Sequence, residues 1–101
     1  MCCVPRQLSA LLNLDFGLIC NEMSEIEERL YGLNSWSEKG CTPRMVIEFC
    51  KQRCLGVSIM HDGNILETLA GANPIVAALQ QNHLYFYKTM KTPNKTDGLE
   101  N

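Results

Sequence analysis

The spacing of the apolar residues changes once along this chain, from intervals of three and four to alternation. Intervals of three and four place apolar side chains on one face of a helix, whereas alternation places them on one face of a strand. The change falls after residue 53. The sequence therefore predicts helices in the first half of the chain and strands in the second, an order typical of the α+β class.

Three helices are predicted in the first half. Proline is favoured in the first turn of a helix, so the first helix starts around Pro5. Gly32 ends the second helix, and Thr42, an N-cap residue followed by proline, opens the third. We place the helices at residues 4–12, 16–32 and 43–53, with residues 33–40 as a loop.

Two hairpins are predicted in the second half. Asp62-Gly63 is a strong turn signal between alternating segments, and Gln80-Gln81-Asn82 separates the second pair of segments. The paired strands are placed at residues 55–60 with 64–69, and 74–79 with 83–87. The predicted fold is thus α+β, with N-terminal helices followed by a small antiparallel β-sheet. It forms a single domain over residues 1–88, and the polar segment 89–101 is expected to be a flexible C-terminal tail.

Composition excludes several classes of protein. The chain has 101 residues, 9 Lys+Arg against 11 Asp+Glu, and a formal net charge of −2, which does not favour nucleic-acid binding. No apolar run reaches the about 18 residues that a membrane span needs, and the N-terminus lacks the layout of a secretory signal. The six cysteines are therefore interpreted as reduced thiols in a cytoplasmic protein. We expect no cofactor and no membrane association.

Cys3 and His83 are the candidate catalytic residues. A thiol reacts as the thiolate, and the positive end of a helix dipole lowers the pKa of a thiol placed there, as Cys3 is at the start of the first helix. An imidazole can pair with that thiolate and move the proton. Alternation in the last strand places Leu84 and Phe86 on one face and His83 on the other, so that its ring projects from a rigid support.

The order of these pieces resembles the papain-like cysteine peptidase fold, especially its smaller OTU-like branches. The segments that carry the resemblance are residues 3–8 (CVPRQL), 73–79 (NPIVAAL) and 82–87 (NHLYFY). The resemblance covers residues 3 to about 87 in layout and implies a thiol-dependent peptidase or isopeptidase. It implies Cys3 as the nucleophile and His83 as the general base, acting on a peptide or protein substrate. Cys2 competes with Cys3, which lies closer to the expected helix start.

Two parts of the family pattern have no obvious counterpart in the sequence. Papain-like enzymes usually carry an oxyanion-hole side chain a few residues before the cysteine, where this sequence has only Met1 and Cys2. The residue that orients the histidine normally follows it, where the sequence offers Asn94 and Asp97. The pattern is therefore also that of a fragment or of an inactive relative.

Three other interpretations compete with catalysis. Cys41, Cys50, Cys54 and His61 could supply four zinc ligands, but they lack the paired short spacings of zinc knuckles, and core packing is the preferred interpretation. Nucleic-acid binding has one supporting feature, the aromatic run 85–87 followed by several lysines, but alternation is expected to bury the central aromatic residue. The main alternative function is a non-catalytic protein-interaction or accessory module of a larger protein.

Overall fold

A computed structural model of the chain describes residues 3–88. Four helices precede four strands, which confirms the predicted α+β class. In chain order the elements are α1 (Cys3–Leu12), α2 (Phe16–Tyr31), α3 (Trp36–Lys39), α4 (Pro43–Gln52), β1 (Leu55–His61), β2 (Asn64–Leu69), β3 (Ala72–Gln80) and β4 (His83–Lys88). The prediction for segment 89–101 lies outside the described residues.

The long helices begin and end at the residues that the sequence indicates. The Asp15 side chain accepts a hydrogen bond from the Leu18 N–H at 2.9 Å, which caps the start of α2. Gly32 ends α2 in the left-handed conformation, with φ of 68°. Thr42 Oγ1 accepts from the Met45 N–H at 3.2 Å, and Pro43 is the first residue of α4. These local interactions explain why the helix boundaries were predictable.

Helix α3 lies within the predicted loop 33–40, so that part of the prediction was wrong. The Glu27 carboxylate on α2 accepts hydrogen bonds from the backbone N–H groups of Ser35 at 2.8 Å and Trp36 at 3.0 Å, and from Ser35 Oγ at 3.1 Å. The Trp36 indole is buried and donates to Ser24 Oγ at 2.8 Å. A side chain from another helix thus satisfies the start of α3, and a four-residue turn has no periodicity that a sequence pattern could detect.

The sheet is mixed, whereas a purely antiparallel sheet was predicted. Both predicted hairpins form, since β1 pairs with β2 and β3 pairs with β4 in antiparallel register. The strand order is β2-β1-β3-β4, and β1 and β3 pair in parallel. After β2 the chain crosses the beginning of β1 and forms β3 on the far side of that strand.

Two glycines make this crossing possible. A Cβ atom on Gly71 would lie 2.4 Å from the carbonyl carbon of Leu55 and 2.6 Å from the backbone nitrogen of Gly56. A Cβ atom on Gly56 would in turn lie 3.0 Å from the Gly71 carbonyl oxygen. Only residues without a side chain allow the two backbones to approach so closely. The parallel pairing of β1 and β3 therefore depends on these glycines.

One face of the sheet packs against the helices and forms the core. The inward side chains of the sheet are Val57, Ile59, Ile75, Ala77, Leu84 and Phe86, and the helices contribute Leu8, Ile19, Met23, Ile26, Met45, Val46 and Phe49. Burying each large aliphatic or aromatic side chain stabilises the fold by about 1.5–3 kcal/mol. Among the described residues, no helix is long and apolar enough to cross a membrane.

The opposite face of the sheet has no helix over it within residues 3–88. Its side chains include Met60, Ile65, Val76, Ala78, Tyr85 and Tyr87, and the exposed fractions of Ile65 and Tyr87 are 62% and 53%. The sheet ends at β2 on one side and at β4 on the other. These two edges differ, because α1 packs along β4 whereas β2 has no strand on its outer side within the described part of the chain.

Candidate functional site

Cys3 is the first residue of α1 and is exposed. The next residues, Val4 and Pro5, are buried and anchor the start of the helix in the core. The first backbone N–H groups of a helix have no partner within the helix, and they carry the positive end of its dipole. The structure therefore presents the Cys3 thiol at an electropositive helix end that solvent can reach.

His83 is the first residue of β4 and follows a tight turn. Gln81 and Asn82 have φ values of 50° and 67°, the left-handed pair typical of a two-residue hairpin loop. Within β4, Leu84 and Phe86 are buried whereas His83 and the two tyrosines are exposed, as alternation predicts. The histidine thus stands on a strand that core packing holds in place.

Cys3 and His83 line the same cleft, whose volume is about 130 Å³. The cleft is bounded by Cys3, Val4, Pro5, Glu38, Lys39, Gly40, Cys41, Asn82, His83 and Leu84. Within residues 3–88, no hydrogen bond joins the Cys3 thiol to the His83 ring. Pockets that hold drug-sized ligands have volumes of about 300–1,000 Å³, so this cleft suits a side chain or a short stretch of peptide.

One wall of the cleft is the end of α3 and the segment that follows it. Gly40 has φ of 93° and directs the chain from α3 to Cys41 and then into α4. Sequence reasoning missed this wall because residues 33–40 were predicted to be a loop with no defined place in the fold. The buried Trp36 and its contacts with α2 hold the wall in position.

Gln7 joins α1 to β4 beside the cleft. Its Nε2 donates a hydrogen bond to the Leu84 carbonyl at 2.9 Å, and its Oε1 accepts one from the Phe86 N–H at 2.9 Å. Sequence reasoning missed this residue, because a single Gln on a helix is usually a surface residue. Its position one turn after Cys3, between the buried Val4 and Leu8, is the signal that could have found it.

The remaining candidates for the site have different outcomes. Cys2, Asn94 and Asp97 lie outside the described residues. Asn82 lines the cleft next to His83. The two candidates for orienting the His83 ring, Asn94 and Asp97, therefore remain predictions.

The four candidate zinc ligands lie in different surroundings. Cys50 is fully buried in α4, Cys54 is exposed in the turn after that helix, and Cys41 lines the cleft. His61 ends β1, where its Nε2 lies 3.7 Å from Asp62 Oδ2. Among the described residues, no group of three or more His, Cys, Asp or Glu side chains is arranged to hold a metal ion.

We expect the Cys50 thiol to resist alkylation as long as the protein is folded. Burial raises the pKa of this thiol to about 11, so it stays protonated at pH 8 and is shielded from the reagent. Mass spectrometry after iodoacetamide treatment at pH 8 should show modified Cys54, which is exposed, and unmodified Cys50. In 6 M guanidinium chloride, about the strength that unfolds even very stable domains, the two should react alike. Comparable labelling of Cys50 in the folded protein would contradict its placement in the core.

No family model, no curated protein and no solved structure matches this chain.

Proposed function

We propose that this chain is a thiol-dependent peptidase- or isopeptidase-like domain in which Cys3 is the nucleophile and His83 the general base. The observation that carries the proposal is that both residues line one small cleft although 79 residues separate them in the sequence. The resemblance to papain-like peptidases rests on an α+β layout with Cys3 at the start of the first helix and His83 at the start of the last strand, and the proposal extends that layout to activity.

The reaction follows from the chemistry of the two groups. His83 takes the thiol proton, and the Cys3 sulfur bonds to the carbonyl carbon of the substrate. The C–N bond then breaks, the amine leaves with the proton from His83, and a thioester remains on Cys3. Water hydrolyses this thioester with His83 as the base, which releases the acid and restores the thiol. Backbone N–H groups in the first turn of α1 would hold the negative oxygen of each tetrahedral intermediate.

The proposed chemistry also implies a cellular compartment and a class of substrate. The thiol must stay reduced, so we place the protein in the cytoplasm. The substrate is an extended peptide or a protein tail, because the cleft is open to solvent and small. No metal or cofactor takes part in the reaction as proposed.

The proposal is tested by the alkylation rate of Cys3 between pH 6 and pH 9. Mass spectrometry reads each cysteine separately, so the exposed Cys54 serves as a reference within the same molecule. We expect Cys3 to react at pH 7 about tenfold faster than Cys54 and to lose this advantage in His83→Ala, since a hydrogen bond from an imidazole to a thiolate, worth about 1.5 kcal/mol, would favour the reactive form about tenfold.

His61→Ala is the matched control, because His61 is also exposed and lies on a strand away from the cleft. This variant should leave the ratio of the Cys3 and Cys54 rates unchanged. If Cys3 and Cys54 react alike at every pH in the wild-type protein, the catalytic proposal fails. The chain would then be studied only as a binding domain.

A non-catalytic interaction domain is the second candidate, and the open face of the sheet favours it. Tyr85 and Tyr87 are exposed there beside Val76 and Ala78, and Ile65 continues the apolar surface onto β2. Exposed aromatic side chains are enriched where proteins bind one another. A protein partner would bind this face without any need for the Cys3 thiol.

A further inference from the structure

Gln7 makes the most specific contact between the helix of Cys3 and the strand of His83. Its side-chain amide contacts β4 through both of its polar atoms, the Nε2 with the Leu84 carbonyl and the Oε1 with the Phe86 N–H, each at 2.9 Å. A primary amide has the same donor and acceptor as a peptide unit. Gln7 therefore occupies the outer edge of β4 in the way that a short piece of a neighbouring strand would.

Two hydrogen bonds to residues i and i+2 of a strand fix the register of the helix on it. Successive residues of a strand are about 3.3 Å apart, so sliding α1 along β4 by one residue would break both bonds. The apolar contacts of Val4 and Leu8 with the core hold the helix down, but burial of apolar surface has no directional preference. The two hydrogen bonds of the Gln7 amide are directional, so they select one position of α1 along β4.

Both ends of this contact lie next to the proposed catalytic residues. Gln7 follows Cys3 by one helical turn, and Leu84 follows His83 directly. Gln7 therefore links the helix that carries the thiol to the strand that carries the imidazole. We propose that Gln7 is a positioning residue, whose bidentate contact with β4 fixes α1, and with it Cys3, relative to the strand that carries His83. This inference rests on the proposed function.

The expected effect is large because the thiol–imidazole pair depends on short distances. Misplacing a reacting group by about 1 Å can cost about a hundredfold in rate. Gln7→Leu keeps the size of the side chain and removes both hydrogen bonds. Gln7→Glu keeps the acceptor for the Phe86 N–H but loses the bond to Leu84, because its second carboxylate oxygen would repel the Leu84 carbonyl oxygen.

The experiment measures the ratio of the Cys3 and Cys54 alkylation rates at pH 7 in these variants. Circular dichroism first establishes a temperature at which each variant is folded. We expect Gln7→Leu to lower the ratio about tenfold, as His83→Ala does, and Gln7→Glu to give an intermediate value. Asn21→Leu, which likewise replaces an amide with leucine but on the exposed surface of α2, should leave the ratio at the wild-type value.

Two results would overturn the inference, and they differ. If His83→Ala lowers the ratio and folded Gln7→Leu does not, Gln7 only stabilises the fold and the proposed function survives. If neither substitution changes the ratio, the proposed function fails and Gln7 has no pair to position. Should Gln7→Leu not fold, the same comparison is made with Gln7→Glu, for which an unchanged ratio contradicts the inference.

Discussion

Gly71→Ala is expected to lower the free energy of unfolding by about 3 kcal/mol, the upper range for forcing an extra methyl group into a packed site. The new Cβ atom would lie 2.4 Å from the carbonyl carbon of Leu55 and 2.6 Å from the nitrogen of Gly56. Both atoms belong to the backbone of β1, so no side chain can rotate away to relieve the contact. The parallel pairing of β1 with β3 would have to open at its start. Urea unfolding followed by circular dichroism measures this loss as a lower midpoint at an unchanged slope.

Gly63→Ala is the matched control for this prediction. Gly63 lies in the turn between β1 and β2 with φ of 77°, and a Cβ atom there would have no neighbour within 4 Å. Its cost is the backbone strain alone, about 1–2 kcal/mol. Equal losses in the two variants would mean that the crossing of the chain over β1 is not as close as the structure places it.

Glu27→Ala is expected to cost about 2–4 kcal/mol, because the carboxylate accepts three hydrogen bonds in a buried place. Its removal leaves the N–H groups of Ser35 and Trp36 unsatisfied at the start of α3. Trp36 is the single tryptophan of the chain and is 5% exposed, so its fluorescence should shift to longer wavelength as α3 loosens. The midpoint of urea unfolding gives the energetic loss in the same samples.

Glu27→Gln separates the hydrogen bonds from the charge. Both backbone N–H groups donate to Oε1, which the amide retains, and the new Nε2 can donate to Ser35 Oγ in place of accepting from it. We therefore expect a loss of about 1 kcal/mol or less, with little change in fluorescence. If alanine were tolerated as well as glutamine at position 27, the cap on α3 would not be what holds this segment.

The parts of the fold that the sequence predicted are those with local causes. Asp15, Gly32 and Thr42 act within a few residues of where they stand, and the turn at Asp62-Gly63 joins strands that are adjacent in sequence. The pairing of β3 with β1 is different, because the alternating pattern of β3 would allow it to pair with either β1 or β2. Its choice depends on a contact between Gly56 and Gly71 that no local pattern expresses.

The candidate site divides in the same way. The helix start at Cys3 and the strand start at His83 follow from proline placement and alternation, and both residues line one cleft. Gln7 was missed because its role depends on β4, a strand that lies more than 70 residues further along the chain. The wall at residues 38–41 was missed for a related reason, since the Glu27 cap that forms α3 comes from a different helix.

The two edges of the sheet differ in how readily they could pair with a strand from a second copy of this chain. An incoming strand needs free backbone N–H and C=O groups, and Gln7 already bonds the Leu84 C=O and the Phe86 N–H on β4. Within the described residues, a second chain could therefore add a strand beside β2, at the other edge of the four-stranded sheet. Two chains joined at β2 would carry a Gln7-occupied β4 at each outer end, and that occupation disfavours the addition of a further strand to the described part of the pair.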